Sequence, residues 1–225
     1  MSRENYIIQV AGIIDFQEAE MLLKAGVTHF GFPFRLDVHH PDLSENEAAR
    51  IIKELDISDR AVLITYLTDG SEIIKLANFL GCSIVQLHGA IDKKQLIALR
   101  NKSPETQIWK SLVVRKDNFD QLLNCIEQLS PLVDAFITDT FDPESGASGA
   151  TGLTHDWEIS RKIVEISEKP VILAGGLNPE NVGDAIRKVR PAGVDAHTGL
   201  EDPSGRKSKD KVERFVRNAK AGFNL

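Results

Sequence analysis

Short apolar runs and helix-periodic segments alternate eight times along a chain of 225 residues, and this alternation limits the fold more than any other feature. The apolar runs cover residues 6–10, 29–34, 61–66, 84–87, 107–113, 135–138, 171–174 and 194–196. Helical spacing of apolar residues falls between them, at 15–25, 44–55, 71–80, 93–100, 118–129, 156–167, 178–189 and 208–221. The runs alternate little between apolar and polar, as expected of parallel strands covered on both faces. No composition shift or flexible linker divides them. Eight such units in this length fit one closed (β/α)8 TIM barrel, a single domain over residues 1–225. A doubly wound open sheet is the alternative. It calls for a glycine-rich dinucleotide turn after the first strand, which Val10-Ala11-Gly12-Ile13 does not supply.

Several punctuation marks support the helices. Ser44 and Glu47 have the spacing of a capping box, and Gly26 is a helix stop. Asn178 suits an N-cap, with Pro179 in the first helical position behind it.

The formal net charge is −6, so no basic excess is available to neutralise a nucleic-acid backbone. The one basic run, Arg206 to Lys209, is offset by Glu201, Asp202 and Asp210. The two cysteines, Cys82 and Cys125, lack the spacing of a zinc site and read as buried small residues. No apolar run is long enough to cross a membrane and no secretory leader is visible, which leads to a cytoplasmic expectation.

In a (β/α)8 barrel, function gathers at the C-terminal ends of the strands. Two of those ends suit a phosphate. Val171 to Ala174 runs into Gly175 and Gly176 just before a helical pattern. Glycines allow close backbone approach, and a helix start offers free N–H groups. Alone, the stretch fits a plain tight turn equally well. The next strand, 194–196, also ends in a small polar turn, His197-Thr198-Gly199. Phosphate sites in such barrels are often built from the loops after the last two strands.

Several segments at the strand ends resemble phosphoribosylanthranilate isomerase. They are Gln86-Leu87-His88-Gly89, Thr138-Asp139-Thr140, the 149–152 glycine segment with Asp156 and Trp157, Gly175-Gly176-Leu177-Asn178-Pro179-Glu180-Asn181-Val182, and Val194-Asp195 with Gly199. The likeness runs in order over essentially the whole chain. It implies a single barrel in tryptophan biosynthesis, monomeric or homodimeric. Such an enzyme works without a cofactor on a phosphorylated small molecule, by an Amadori-type aldose–ketose isomerisation. That chemistry needs an acid to open the ribose ring and a base to take the proton from the adjacent carbon. The family's acid falls on Asp139, and a carboxyl at the rim of an apolar strand can stay protonated long enough to donate. Gly175, Gly176, Thr198 and Gly199 would hold the phosphate through backbone N–H groups. His88 would orient the substrate or Asp139, or serve only as a structural histidine.

Three positions depart from the family. Its base is a cysteine, and Ala11 stands in that place with nothing to ionise. An arginine that meets the aromatic carboxylate is missing after the second strand, leaving Arg35 at a shifted position to reach it. Paired serines have become His197 and Thr198. Histidine titrates near neutral pH, so His197 is the candidate replacement base. His39 and His40 stand in the second loop, where a metal site with Asp37 is conceivable, although the spacing is not a zinc signature. Glycines 146, 149 and 152 would let their loop close over a ligand. The alternatives are a relative acting on another phosphorylated compound, and a barrel that binds a phosphate ester without turning it over.

Overall fold

The computed structural model describes residues 6–36, 43–140 and 157–224. The metal set of Asp37, His39 and His40 and the proposed lid at 142–152 lie outside these residues.

Eight parallel strands form a closed barrel in sequence order. They are β1 (Ile7–Ala11), β2 (His29–Pro33), β3 (Ala61–Thr65), β4 (Ile84–Leu87), β5 (Gln107–Val114), β6 (Ala135–Thr140), β7 (Val171–Leu173) and β8 (Gly193–Ala196). The helices between and after them are α1 (Phe16–Ala25), α2 (Glu45–Glu54), α3 (Gly70–Leu80), α4 (Lys93–Lys102), α5 (Phe119–Leu129), α6 (Trp157–Ile166), α7 (Val182–Val189) and α8 (Lys209–Phe223). None of the described helices is long and apolar enough to cross a membrane.

Local chemistry sets the helix ends. Asp15, Asp69 and Asp92 each accept a backbone N–H in the first turn of the following helix. Ser44 and Glu47 make the expected capping box. Gly26 stops α1 in the left-handed region at φ 90°.

The start of α7 differs most from the sequence expectation. Helix α7 opens at Val182, not at Asn178. Asn178 instead caps a separate turn, its Oδ1 accepting the N–H groups of Glu180 (2.9 Å) and Asn181 (3.1 Å). Asn181 takes up the other half by accepting the Asn178 N–H at 2.9 Å and donating to the Gly176 carbonyl at 3.0 Å. The paired asparagines stabilise a turn before the helix, which periodicity alone cannot separate from a helix start. Strand β6 also runs further than its apolar run, so Asp139 belongs to the strand itself.

The strands sort their side chains into two sets. Ile8, Val10, Phe30, Phe32 and Phe136 face the helices and join Leu22, Ile51 and Phe215 in the outer core. Val62, Ile84, Trp109, Ala135, Ile137 and Ile172 fill the inside of the barrel. Along several strands the inward positions change from apolar to polar towards the C-terminal end. Strand β4 goes from Ile84 to Gln86, with His88 just past its end; β6 goes from Ala135 through Ile137 to Asp139; β1 goes from Ile7 to Gln9. The polar mouth is therefore written into the strands.

Closure depends on the contact of β1 with β8, where Ile7 lies opposite Gly193. A Cβ at Gly193 would lie 2.4 Å from Ile7 Cβ and 2.8 Å from its carbonyl oxygen. The backbone oxygen cannot move without opening the pairing. Gly193→Ala should lose about 1–3 kcal/mol of stability, the usual cost of overpacking, measured as a lower urea midpoint at unchanged slope.

Candidate active site

The mouth of the barrel assembles from the ends of β1, β4, β6, β7 and β8. Asp139 is buried at the end of β6. Its Oδ1 accepts the Thr140 N–H at 2.7 Å, and its Oδ2 lies 2.9 Å from His88 Nε2. The His88 ring is held against Tyr66, with ring centroids 4.9 Å apart, and its Nδ1 is buried without a hydrogen-bond partner. Asp139 and His88 form a hydrogen-bonded pair.

Deeper in, Gln9 Nε2 donates to Gln86 Oε1 across the barrel at 3.0 Å. Gln9 lies opposite Asp195 in the β1–β8 register. Asp195 Oδ1 is sealed from solvent without a hydrogen-bond partner, as is Gln9 Oε1. Burial, and after it the like charge of Asp139, push the Asp195 carboxyl up to about 7; a hydrogen bond from Gln9 and the Lys207 charge act the other way. Asp139 at the mouth and Asp195 beneath it are thus two carboxyls in unlike surroundings.

The loops after β7 and β8 touch. A Cβ at Gly199 would lie 2.1 Å from the Leu177 carbonyl oxygen and 3.2 Å from Asn178 Cβ. Gly175 and Gly176 adopt φ 99° and 62°, so both use backbone conformations that disfavour side chains. Thr198 to Leu200 form a single 3-10 turn. Gly175, Gly176, Thr198 and Gly199 are thereby gathered where two backbone segments meet, the arrangement that suits an anionic ester.

His197 lies over the end of β1. A Cβ at Gly12, whose φ is 73°, would lie 2.1 Å from His197 Nε2. That nitrogen is 3.3 Å from Glu201 Oε1, which in turn meets the buried Lys207 Nζ at 2.9 Å. Lys207 Nζ also donates to the Gly12 carbonyl at 3.0 Å. Arg35 is turned outwards: its Nη2 and Nε reach Glu45 Oε1 at 2.7 and 2.8 Å, and its side chain is 58% exposed. The mouth thus holds Asp139, His88 and His197, with Gly175, Gly176, Thr198 and Gly199 in the loops after β7 and β8, whereas the Arg35 guanidinium is bound at the start of α2.

Sequence reasoning gave no role to Gln9, Gln86, Asp195, Glu201 or Lys207. The first three carried a signal, each being a polar residue inside an apolar strand. Among the described residues no group of three or more His, Cys, Asp or Glu side chains is arranged to hold a metal ion.

A family model described as N-(5'-phosphoribosyl)anthranilate isomerase matches residues 8–218. The "N-(5'-phosphoribosyl)anthranilate isomerase 2" of Methanosarcina mazei is 40% identical over 217 residues, covering 96% of this chain and 95% of its own. Among solved structures, the phosphoribosylanthranilate isomerase of Thermotoga maritima matches with a TM-score of 0.80 at 28% identity, over 96% of this chain and 99% of that one. Another, solved with reduced 1-(o-carboxyphenylamino)-1-deoxyribulose 5-phosphate, matches at 0.78 and 26% identity over the same shares.

The raised carboxyl of Asp195 has a consequence for stability. Between pH 4 and 7 the folded chain keeps a proton that the unfolded chain has released, so stability falls as pH rises through that window. A shift from 3.8 to about 7 corresponds to at most about 4 kcal/mol. Asp195→Asn should therefore melt above the parent at pH 8, by about 2–4 °C for each kcal/mol recovered. Below pH 4 that advantage should vanish, as thermal scans across the pH range will show.

Proposed function

The chain belongs to the phosphoribosylanthranilate isomerase family, and from that premise we propose that it carries out the Amadori rearrangement of N-(5'-phosphoribosyl)anthranilate in tryptophan biosynthesis. The observation that carries the reading is the meeting of the Gly175–Gly176 and Thr198–Gly199 loops beside a mouth that also holds Asp139. A phosphate bound by those N–H groups anchors the sugar, and Asp139 donates its proton to the ring oxygen as the ring opens. His88 positions the Asp139 carboxyl through the 2.9 Å contact. No cofactor enters the chemistry. The reaction belongs in the cytoplasm, and the chain carries no nucleic-acid or membrane partner in this reading.

The second proton transfer needs a base that Ala11 does not supply. His197, over Gly12, and Asp195, beside Gln9, are two titratable groups on that side of the barrel. A second reading keeps the acid and the phosphate clasp but changes the substrate to another phosphorylated compound. The engagement of Arg35 by Glu45 favours it, because that guanidinium is then not aimed at an aromatic carboxylate.

Asp139→Asn should lower kcat by about 100- to 10,000-fold, the usual worth of a general acid, and should fail to rescue a tryptophan-requiring strain that the parent chain rescues. A parent without turnover, yet thermally stabilised by ribose 5-phosphate, would move the reading to the second substrate class or to binding alone. Gly199→Ala, which forces a methyl group against the Leu177 carbonyl, should raise KM more than it lowers kcat, because it disturbs the anchor and not the proton transfers.

A further inference from the structure

Just below the mouth lies a carboxyl for which ring opening has no use. We propose that Asp195 is the general base of the reaction, taking the proton from the sugar carbon next to the reacting one in the place of the absent cysteine. The assignment rests on the isomerase reading above and names the residue that completes it.

Position supports it first. Barrel closure makes β8 the direct neighbour of β1, and Asp195 lies opposite Gln9, two residues before Ala11 on the same strand. The position without a base and the carboxyl proposed to replace it share one seam of the barrel. Availability supports it next. Asp195 Oδ1 is sealed from solvent without a hydrogen-bond partner, and the residue retains accessible surface elsewhere. An unpaired buried acceptor is costly and asks for an explanation. His197 is the competing group, but its Nε2 already faces Glu201 and its ring occupies the space over Gly12. Proton affinity comes third. The groups facing Asp195 are Asp139 from β6, with His88 from the loop after β4 behind it, Gln9 from β1 and Lys207 from the segment before α8. Burial, joined by the like charge of Asp139 while that carboxyl is ionised, prevails over Gln9 and Lys207 and holds the carboxyl at about 7, where a base working near neutrality is most effective.

The proton count closes without an oxidant or reductant. Asp139 gives its proton to the ring oxygen as the bond from that oxygen to C1 breaks, leaving a protonated imine at C1. The Asp195 carboxylate takes the C2 proton. The C–H electron pair becomes the C1–C2 double bond and neutralises the imine nitrogen. The proton on Asp195 then passes to C1, and the enol O–H proton returns to the Asp139 carboxylate directly or through water. Both carboxyls end as they began. Because Asp195 must be ionised to act, kcat/KM should rise with pH through about 7.

The test compares the parent with Asp195→Asn, His197→Asn, and Asp195→Asn carrying Ala11→Cys, using N-(5'-phosphoribosyl)anthranilate with and without deuterium at C2. Melting curves establish that each variant is folded. Asp195→Asn should lose at least about 100-fold in kcat and lose the rising limb near pH 7. A thiol at position 11 should recover at least about tenfold of that loss, which a purely structural role for Asp195 would not allow. Slowing of the parent by deuterium would place the abstraction within the measured step. The assignment is overturned if Asp195→Asn keeps kcat within about threefold, if the thiol brings no recovery, or if His197→Asn and not Asp195→Asn removes the limb. Those outcomes leave the isomerase reading standing. A folded parent without turnover at any pH overturns both.

Discussion

A closed eight-stranded barrel is filled by its own side chains, so reactive groups at its mouth must come from strand ends and the loops above them. Here the strands meet that requirement by grading their inward residues from apolar to polar. Trp109, Ile84, Ala135 and Ile172 form dry packing, Gln9, Gln86 and Asp195 lie above it, and Asp139 and His88 complete the opening. The dry packing beneath and the limited access of water make the carboxyl groups sensitive to one another. The like charge of Asp139 therefore reaches Asp195 with force, when in water it would be screened.

The loop that carries the end of β1 is fixed from across the chain. Asp15 caps α1 and is also held by Arg206, whose Nη1 and Nη2 meet its two oxygens at 2.7 and 3.1 Å. Glu18 accepts the N–H of Ile14 at 3.3 Å and of Lys207 at 2.8 Å. The buried Lys207 ammonium reaches Gly12 and Glu201. Residues nearly two hundred positions apart thus fasten the ends of β1 and β8 together. The charged run Arg206 to Lys209 has a bland look as a string of letters. Its first two members are fasteners for the reaction mouth.

Much of this architecture was legible beforehand because eight repeats of one pattern over-determine a barrel. The capping box at Ser44 and the glycine stop at Gly26 carry their physics in adjacent letters. The glycine loops also show themselves, since close backbone approach leaves few other choices of residue. Two kinds of feature stayed hidden. The Asn178–Asn181 turn imitates a helix start, because an asparagine side chain satisfies the same N–H groups in either structure. The partners of charged residues are set by three-dimensional contacts, so neither the union of Arg35 with Glu45 nor that of Lys207 with Gly12 can be read from neighbours in sequence. Asp195 lies between these cases. A carboxyl inside the short apolar strand Gly193–Ala196 was visible as an interruption, but its significance required knowing that Gln9 and Asp139 face it.

The retention of that carboxyl is a problem of energies. An asparagine fills nearly the same volume and carries no charge, so packing alone gives no reason to keep an acid there. The acid leaves an acceptor unpaired and must be ionised against burial and a neighbouring carboxyl, both of which oppose folding near neutral pH. Asp139 shows the opposite treatment, with a backbone N–H on one oxygen and His88 on the other. Ala11 packs against Gly31, and a Cβ on Gly31 would stand 2.9 Å from the Ala11 Cβ, so the β1–β2 seam is closed by apolar contact. The charge at the mouth is displaced towards β6 and β8, and the Asp195 carboxyl lies in the seam next to the strand that would have carried the missing base.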